Sequence, residues 1–356
     1  TSGSNVTLVD AGAIDLGAST VSGTYAVTAT ADGDITDSGV LAITGTSTLT
    51  AADEQSIILD QSSTFGTVAF VASSGNLKNV TINDSNAFDL SALTLVQVSS
   101  AGGNLTVTAG GAITESGDLS IAGVTTLAAG SGNNITLNRA GNNFQAAVKI
   151  TSGANVTLVD AGAIDLGAST VSGTYAVTAT SGGGITDSGV LAITNGATFT
   201  VAGGQSIILD QSSTFSSTVT FTPSSGTIAA VTINDSNAFD LKALTTTGNL
   251  TVTAGGAVTD SGTLVVPGTA TISASGQAVT LDDSSNNFGT IAITGANVAI
   301  TDTNAIILGA ATVSGTYSVT AGGAVTDSGT QEITGVTTLA AGSGNDITLD
   351  TSTNNF

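Results

Sequence analysis

Residues 5–37 read NVTLVDAGAIDLGASTVSGTYAVTATADGDITD. Within this stretch apolar and polar residues alternate in short runs, Val6-Thr7-Leu8 and Ala26-Val27-Thr28, and Leu41-Ala42-Ile43 follows soon after. Alternation with a period of two marks strands that bury one face and wet the other. Gly, Ser, Asn and Asp separate the runs, and these are the residues that turns favour. No window of a dozen residues keeps helical spacing without a Gly or a Thr-rich break, so the chain is expected to be all-β.

The same text returns. Residues 1–30 and 151–180 differ only at Ser4 against Ala154, and shorter periods lie inside that copy. Three motif classes emerge. The first ends at Asp10 (NVTLVD), Asp84, Asp160, Asp235 and Asp302. The second, ITDSG and its variants, centres on Asp37, Glu115, Asp187, Asp260 and Asp327. The third, SIILD and its variants, ends at Asp60, Asn138, Asp210, Asp282 and Asp350. The classes rotate in strict order, with a mean step of about 24 residues, the length of one circuit of a β-helix and about half that of a propeller blade.

The expected architecture is therefore one continuous right-handed parallel β-helix over residues 1–356. It would have about fifteen coils of about 24 residues, grouped in five three-coil super-repeats near 1–78, 79–153, 154–229, 230–296 and 297–356. Stacking at ~4.8 Å per coil gives a rod on the order of 70 Å long. The longest step, Asp84 to Glu115, carries the apolar run Leu93, Leu95, Val96 and Val98 and is the expected place for an extra loop or ladder. The sequence begins without Met and stops inside a motif at Phe356, which reads as a mature product or a fragment with uncapped ends.

Composition narrows the function. Gly 46 against Pro 2, with no Cys, Met, Trp or His, leaves out most of the side chains that enzymes use as acids, bases and nucleophiles. Hydrophobic residues are 40% but aromatics only 4%, so Val, Ile, Leu and Ala must build the core. Asp+Glu 26 against Lys+Arg 4 gives a net charge of -22, with Lys78, Arg139, Lys149 and Lys242 the only cations. Such a surface repels phosphate backbones and anionic membranes, and self-repulsion keeps the chain soluble. No apolar run reaches the ~20 residues of a membrane helix.

The recurring text VTLVDAGAIDLGASTVSGT, NLTVTAGGAITESG from Asn104, SVTAGGAVTDSG from Ser318 and TTLAAGSGNDITLD from Thr337 resembles the repeat region of filamentous haemagglutinin-like exoproteins. The resemblance spans essentially the whole chain. It implies a right-handed parallel β-helix, export through an outer-membrane partner pore, and a role as adhesin or scaffold at the cell surface. Two departures stand beside it. The Asn-Pro signatures of that family's secretion domain are missing, the only prolines being Pro223 and Pro267, and there is no Arg-Gly-Asp.

Candidate sites each have a structural alternative. If the anchor carboxylates stack in one column, neighbours ~5 Å apart repel by roughly 1 kcal/mol even in water. Ca²⁺ bridging adjacent coils at Asp10, Asp37, Asp60, Asp84, Asp160, Asp187, Asp210 and Asp235 offsets that repulsion on one reading. On the favoured reading these residues cap backbone amides in Asx-turns, and Asn138 breaks the column. No cofactor is assigned. The pairs Asp10/Asp15, Asp84/Asp89, Asp160/Asp165 and Asp235/Asp240 have the look of a glycosidase dyad, but they recur with the repeat, whereas a catalytic site occurs once. A lyase would want a base among the acids, and Arg139 is isolated. Thr106/Thr108 and Thr251/Thr253 suggest a flat threonine array for ice, or ordinary outward strand residues. Tyr25, Tyr175 and Tyr317 are expected in core or turn packing, the alternative being a sugar-stacking platform, and Phe88, Phe144, Phe239 and Phe288 are expected to fill a corner of the core.

Function is then expected to be non-enzymatic. The leading reading is the shaft of a secreted or cell-surface adhesin or matrix fibre that makes weak repeated contacts with a host or neighbouring cell or a polysaccharide matrix. The second is a filament subunit that self-associates end to end. The third, a polysaccharide-active enzyme, would require a non-repeating charged cleft.

Overall fold

A computed structural model describes residues 1–98 and 101–356, and those residues form an all-β parallel solenoid without helix. They make about 16 turns of roughly 21 residues. The chain divides into two compact units, Thr1–Ser181 and Gly182–Phe356.

In the first unit each turn lays down three short strands, and each strand pairs in parallel with its counterpart one turn on. One ladder runs Val6, Tyr25, Ser47, Val68. The next face runs Ile14, Ile35, Ile57, Val80, Leu105. A third runs Phe88, Ile113, Ile135, Val156, Tyr175. Because side chains alternate along a strand, every second residue enters the core, and pairing in register stacks apolar residue on apolar residue. Ile35, Ile57, Val80 and Leu105 are all fully buried. The β-branched and leucine content read from the sequence is thus spent on inward columns, each buried side chain contributing about 1.5–3 kcal/mol by leaving water.

The ladders correct the expected turn count. Val80 is the motif counterpart of Val6, yet it continues the ladder of Ile14, one face further round. Val156, the next counterpart, continues the ladder of Phe88, which follows Val80 by one face. The second unit repeats the step: Val231 lies in the ladder Ile207, Val231, Leu250, Ala270, and Val298 in the ladder Phe239, Val258, Val279, Val298, Tyr317. A super-repeat therefore makes three turns and one further face. Three coils per super-repeat gives fifteen long coils; the extra face in each raises the count and shortens the turn.

The long step from Asp84 to Glu115, the expected place for an extra loop or ladder, carries the loop, while its apolar run forms an ordinary ladder, as Leu244–Thr245 does in the second unit. Leu93–Leu95 joins a ladder with Leu119–Ile121, and Gln97–Val98 then pairs antiparallel with Ala101–Gly102. Gly102 and Gly103 close this excursion at φ 86° and 74°, a left-handed backbone that glycine adopts without strain.

Candidate functional site: the carboxylate corners

The anchors lie at the corners where one strand ends and the next begins. There the chain turns, and its amides lose their ladder partners. Aspartate answers this locally, because its short carboxylate reaches the amide two residues on. Asp10 accepts the Gly12 N–H at 2.8 Å, Asp84 that of Asn86 at 2.9 Å, and Asp160 that of Gly162 at 2.6 Å. Asp235 and Asp302 do the same for Asn237 and Asn304, at 3.0 and 2.8 Å.

In the deeper corners the same carboxylate also reaches across to the neighbouring turn. Asp160 Oδ2 accepts the Phe144 N–H at 2.7 Å, Asp302 Oδ2 that of Phe288 at 2.6 Å, and Asp235 Oδ1 that of Phe215 at 3.2 Å. Asp84, Asp160, Asp235 and Asp302 are buried, while Asp10 is exposed. Burial pushes the carboxyls of these four above the usual aspartate range, and their amide donors pull the other way without cancelling it.

The second motif class does a different job. Asp37 Oδ1 accepts the Asp60 N–H at 2.9 Å, Asp187 Oδ1 that of Asp210 at 2.9 Å, Asp260 Oδ1 that of Asp282 at 3.0 Å, and Asp327 Oδ1 that of Asp350 at 3.1 Å. Glu115 accepts the Arg139 N–H at 2.6 Å. Each of these carboxylates therefore ties its corner to the corner one turn ahead. Asp60 and Asp210 themselves are exposed and accept the Gln61 and Gln211 side-chain amides at 2.8 and 2.9 Å.

Asparagine completes the corner in three of the super-repeats. Asn142 donates to Glu115 at 3.0 Å, Asn286 to Asp260 and Asn354 to Asp327 at 2.6 Å each. Their Oδ1 atoms accept the amides of Leu119, Leu264 and Gln331. In the other two, Ser63 and Ser213 accept the equivalent Leu41 and Leu191 amides. Sequence reasoning passed over this role, although the signal was present: NNF occurs in three super-repeats and STF in two, and the Asn of one stands where the Ser of the other does.

A column of stacked anchor carboxylates does not form. In register, Asp10 lies beside Ala29, Asp84 beside Ser63 and Ala109, Asp160 beside Ala179, Asp235 beside Ser213 and Ala254, and Asp37 beside Leu16. Each of these acids is placed over small or apolar residues, so repulsion is confined to neighbouring pairs: burial is the main cause that raises the Asp37 carboxyl, and the charges of Asp60, at the corner one turn ahead, and of Asp15 add to it. Among the described residues no three acidic side chains gather into a metal-holding group.

The paired carboxylates separate as well. Asp15 accepts from Ser38 Oγ at 2.6 Å, Asp89 from Thr114 Oγ1 at 2.8 Å, and Asp240 from Lys242 Nζ at 2.6 Å and Ser261 Oγ at 2.7 Å. Each lies on the outward face of a strand, bonded along its own column. Arg139 makes an exposed ion pair with Asp118 at 2.6 Å. The threonine columns are interrupted: Thr106 and Thr108 are followed by Thr126 and Ala128. Tyr25, Tyr175 and Tyr317 are buried, as are Phe88, Phe144, Phe239 and Phe288.

Comparison with known proteins places these corners in a repeated setting. A family model described as repeats of unknown function (DUF5649) matches residues 3–72, 77–151, 153–222, 228–294 and 295–356, five times over nearly the whole chain. No curated protein and no solved structure matches.

Proposed function

Since this chain belongs to the DUF5649 repeat family and folds as a repeat β-solenoid, we propose that it is the structural shaft of a secreted, cell-surface bacterial adhesin or extracellular matrix fibre, with no enzymatic activity. The observation that carries this reading is the recurrence of one corner network in all five super-repeats. At each corner a carboxylate oxygen accepts a backbone amide, so the recurring chemistry of the sequence serves to hold turns. Outward hydroxyl columns and a net charge of -22 keep the surface hydrated. The filamentous haemagglutinin-like text supports export through an outer-membrane pore. Partners are then a neighbouring cell surface or a polysaccharide matrix, met by many weak contacts whose sum is avidity.

The test uses beads coated with the full chain at graded density and presented to cell monolayers and polysaccharide films, with fractionation of the producing cells alongside. Attachment that rises steeply with coating density, and chain found outside the cell, is the expected result. Release of sugar fragments from the films, or chain confined to the cytoplasm, overturns the reading.

A further inference from the structure

In each unit one strand leaves its forward edge open. Residues 68–72 pair with residues 47–51, and Val219–Pro223 pairs with Ala197–Val201. The Ser73 N–H donates to Ala51 O at 2.8 Å and the Ser224 N–H to Val201 O at 2.8 Å. In a parallel ladder alternate residues face opposite edges. Val68, Phe70 and Ala72 therefore turn their main-chain groups away from the paired side, as do Val219, Phe221 and Pro223, the last with its carbonyl alone. Among the described residues no strand joins that side. Elsewhere such edge amides are capped by aspartate, as at Phe144, Phe215 and Phe288.

The cause lies in chain length. From Phe215 to its capping aspartate the chain runs 20 residues, against 16 from Phe144 and 14 from Phe288. The surplus after Val219–Pro223 stays bonded to the turn behind it, the Gly204 N–H donating to Thr227 O at 2.8 Å, and meets the turn ahead where Ile228 bridges Thr246; in the first unit the Glu54 N–H donates to Asn76 O at 2.9 Å and Leu77 meets Leu95. A groove opens along the edge. In the second unit it holds about 510 Å³ between Phe221 and Leu244 and about 420 Å³ between Val219 and Phe239. In the first unit the equivalent groove holds about 210 Å³ between Phe70 and Leu93.

We propose that these two open edges take up an extended, basic peptide segment of a partner protein by β-augmentation. Main-chain donors and acceptors alternating at strand spacing are matched by another main chain, and phenylalanine in the groove takes the peptide's apolar side chains. Charge chooses the partner: the chain sets 26 acids against 4 bases, and Asp53 flanks the first groove through its bond to the Asn76 N–H, whereas Asp240 at the second is already paired with Lys242, so there the chain's net charge favours the basic segment. Recurrence of the same edge in two units gives two sites per chain.

The probe is a fluorescein-labelled, end-blocked heptapeptide of alternating lysine and valine, titrated into the full chain and followed by anisotropy. The expected result is saturable binding at two sites, weakened about tenfold or more when every internal amide of the peptide is N-methylated. A glutamate-valine peptide is expected not to bind. Thr94→Trp with Thr245→Trp, at exposed positions on the far walls, fills both grooves and is expected to abolish binding with an unchanged β spectrum. Equal binding by the N-methylated peptide reduces the interaction to charge and overturns the proposal, and it decides the matter even if the double variant fails to fold. A chain that sediments as a dimer, and as a monomer once Thr94→Trp and Thr245→Trp are introduced, makes a second copy the occupant and overturns it too.

Discussion

Asp160 accepts two amides at once, the buried one of Phe144 and the half-buried one of Gly162, one on each oxygen. Asp10 accepts one amide at an exposed corner. A buried amide left unpaired costs about 1–3 kcal/mol, so Asp160→Ala is expected to lower stability by about 2–4 kcal/mol. Asp10→Ala should cost under about 1 kcal/mol, since water takes its place. Urea unfolding of the two variants checks the contrast, and equal losses would mean that the second amide contributes nothing. The capping role of both residues was legible in the sequence, because Asp at a strand end followed by Gly or Asn is an Asx-turn signature. The difference between them was not, since it arises from which turn lies alongside.

Strands end at corners with their own spacing rule. Asn5, Asn104, Asn155, Asn249 and Asn297 each bond an amide of the following turn, and a glycine sits over each of them. At Gly173 an added Cβ would fall on Asn155 Oδ1 and close to the Ala154 carbonyl. Gly173→Ala is thus expected to cost about 1–3 kcal/mol, as overpacking does, and Asn155→Ala in the same chain should recover part of it. A double-mutant cycle by denaturant unfolding measures this, and strict additivity would rule out the stacked contact. The strands themselves were readable from alternation, and the Asp84 to Glu115 excursion from its length. These asparagines were visible only as part of NVT and NLT text, because the glycine that explains each lies in another turn.

Across the molecule acidic groups outnumber basic ones, and the buried ones dominate its response to pH. Burial raises the carboxyls of Asp37, Asp84, Glu115, Asp160, Asp235 and Asp302 above their unfolded values. A group raised in the folded state adds stability that is complete below its unfolded pKa and is lost as pH rises through its folded pKa. Asp240 and Asp327 run the other way: burial pushes them up, but Lys242 and Ser261 on one and Asn354 on the other hold them low, so they lose their contribution in stronger acid. The melting temperature is therefore expected to rise as pH falls from 7 toward about 4.5, aided by relief of the net charge of -22. Thermal unfolding across that range checks it, and a steady fall would show that the amide bonds outweigh burial. Composition announced the acidity, but the burial of Asp84, Asp160, Asp235 and Asp302, against the exposure of Asp10 in the first turn, comes from the turns stacked on them, and no motif spacing displays the extra face in each super-repeat. That extra face also bears on inheritance. Segments as alike as residues 1–30 and 151–180 invite unequal recombination. Loss of one copy would re-aim the corners that follow it within the same unit by a third of a turn, so copy number and the direction a given corner faces are inherited together.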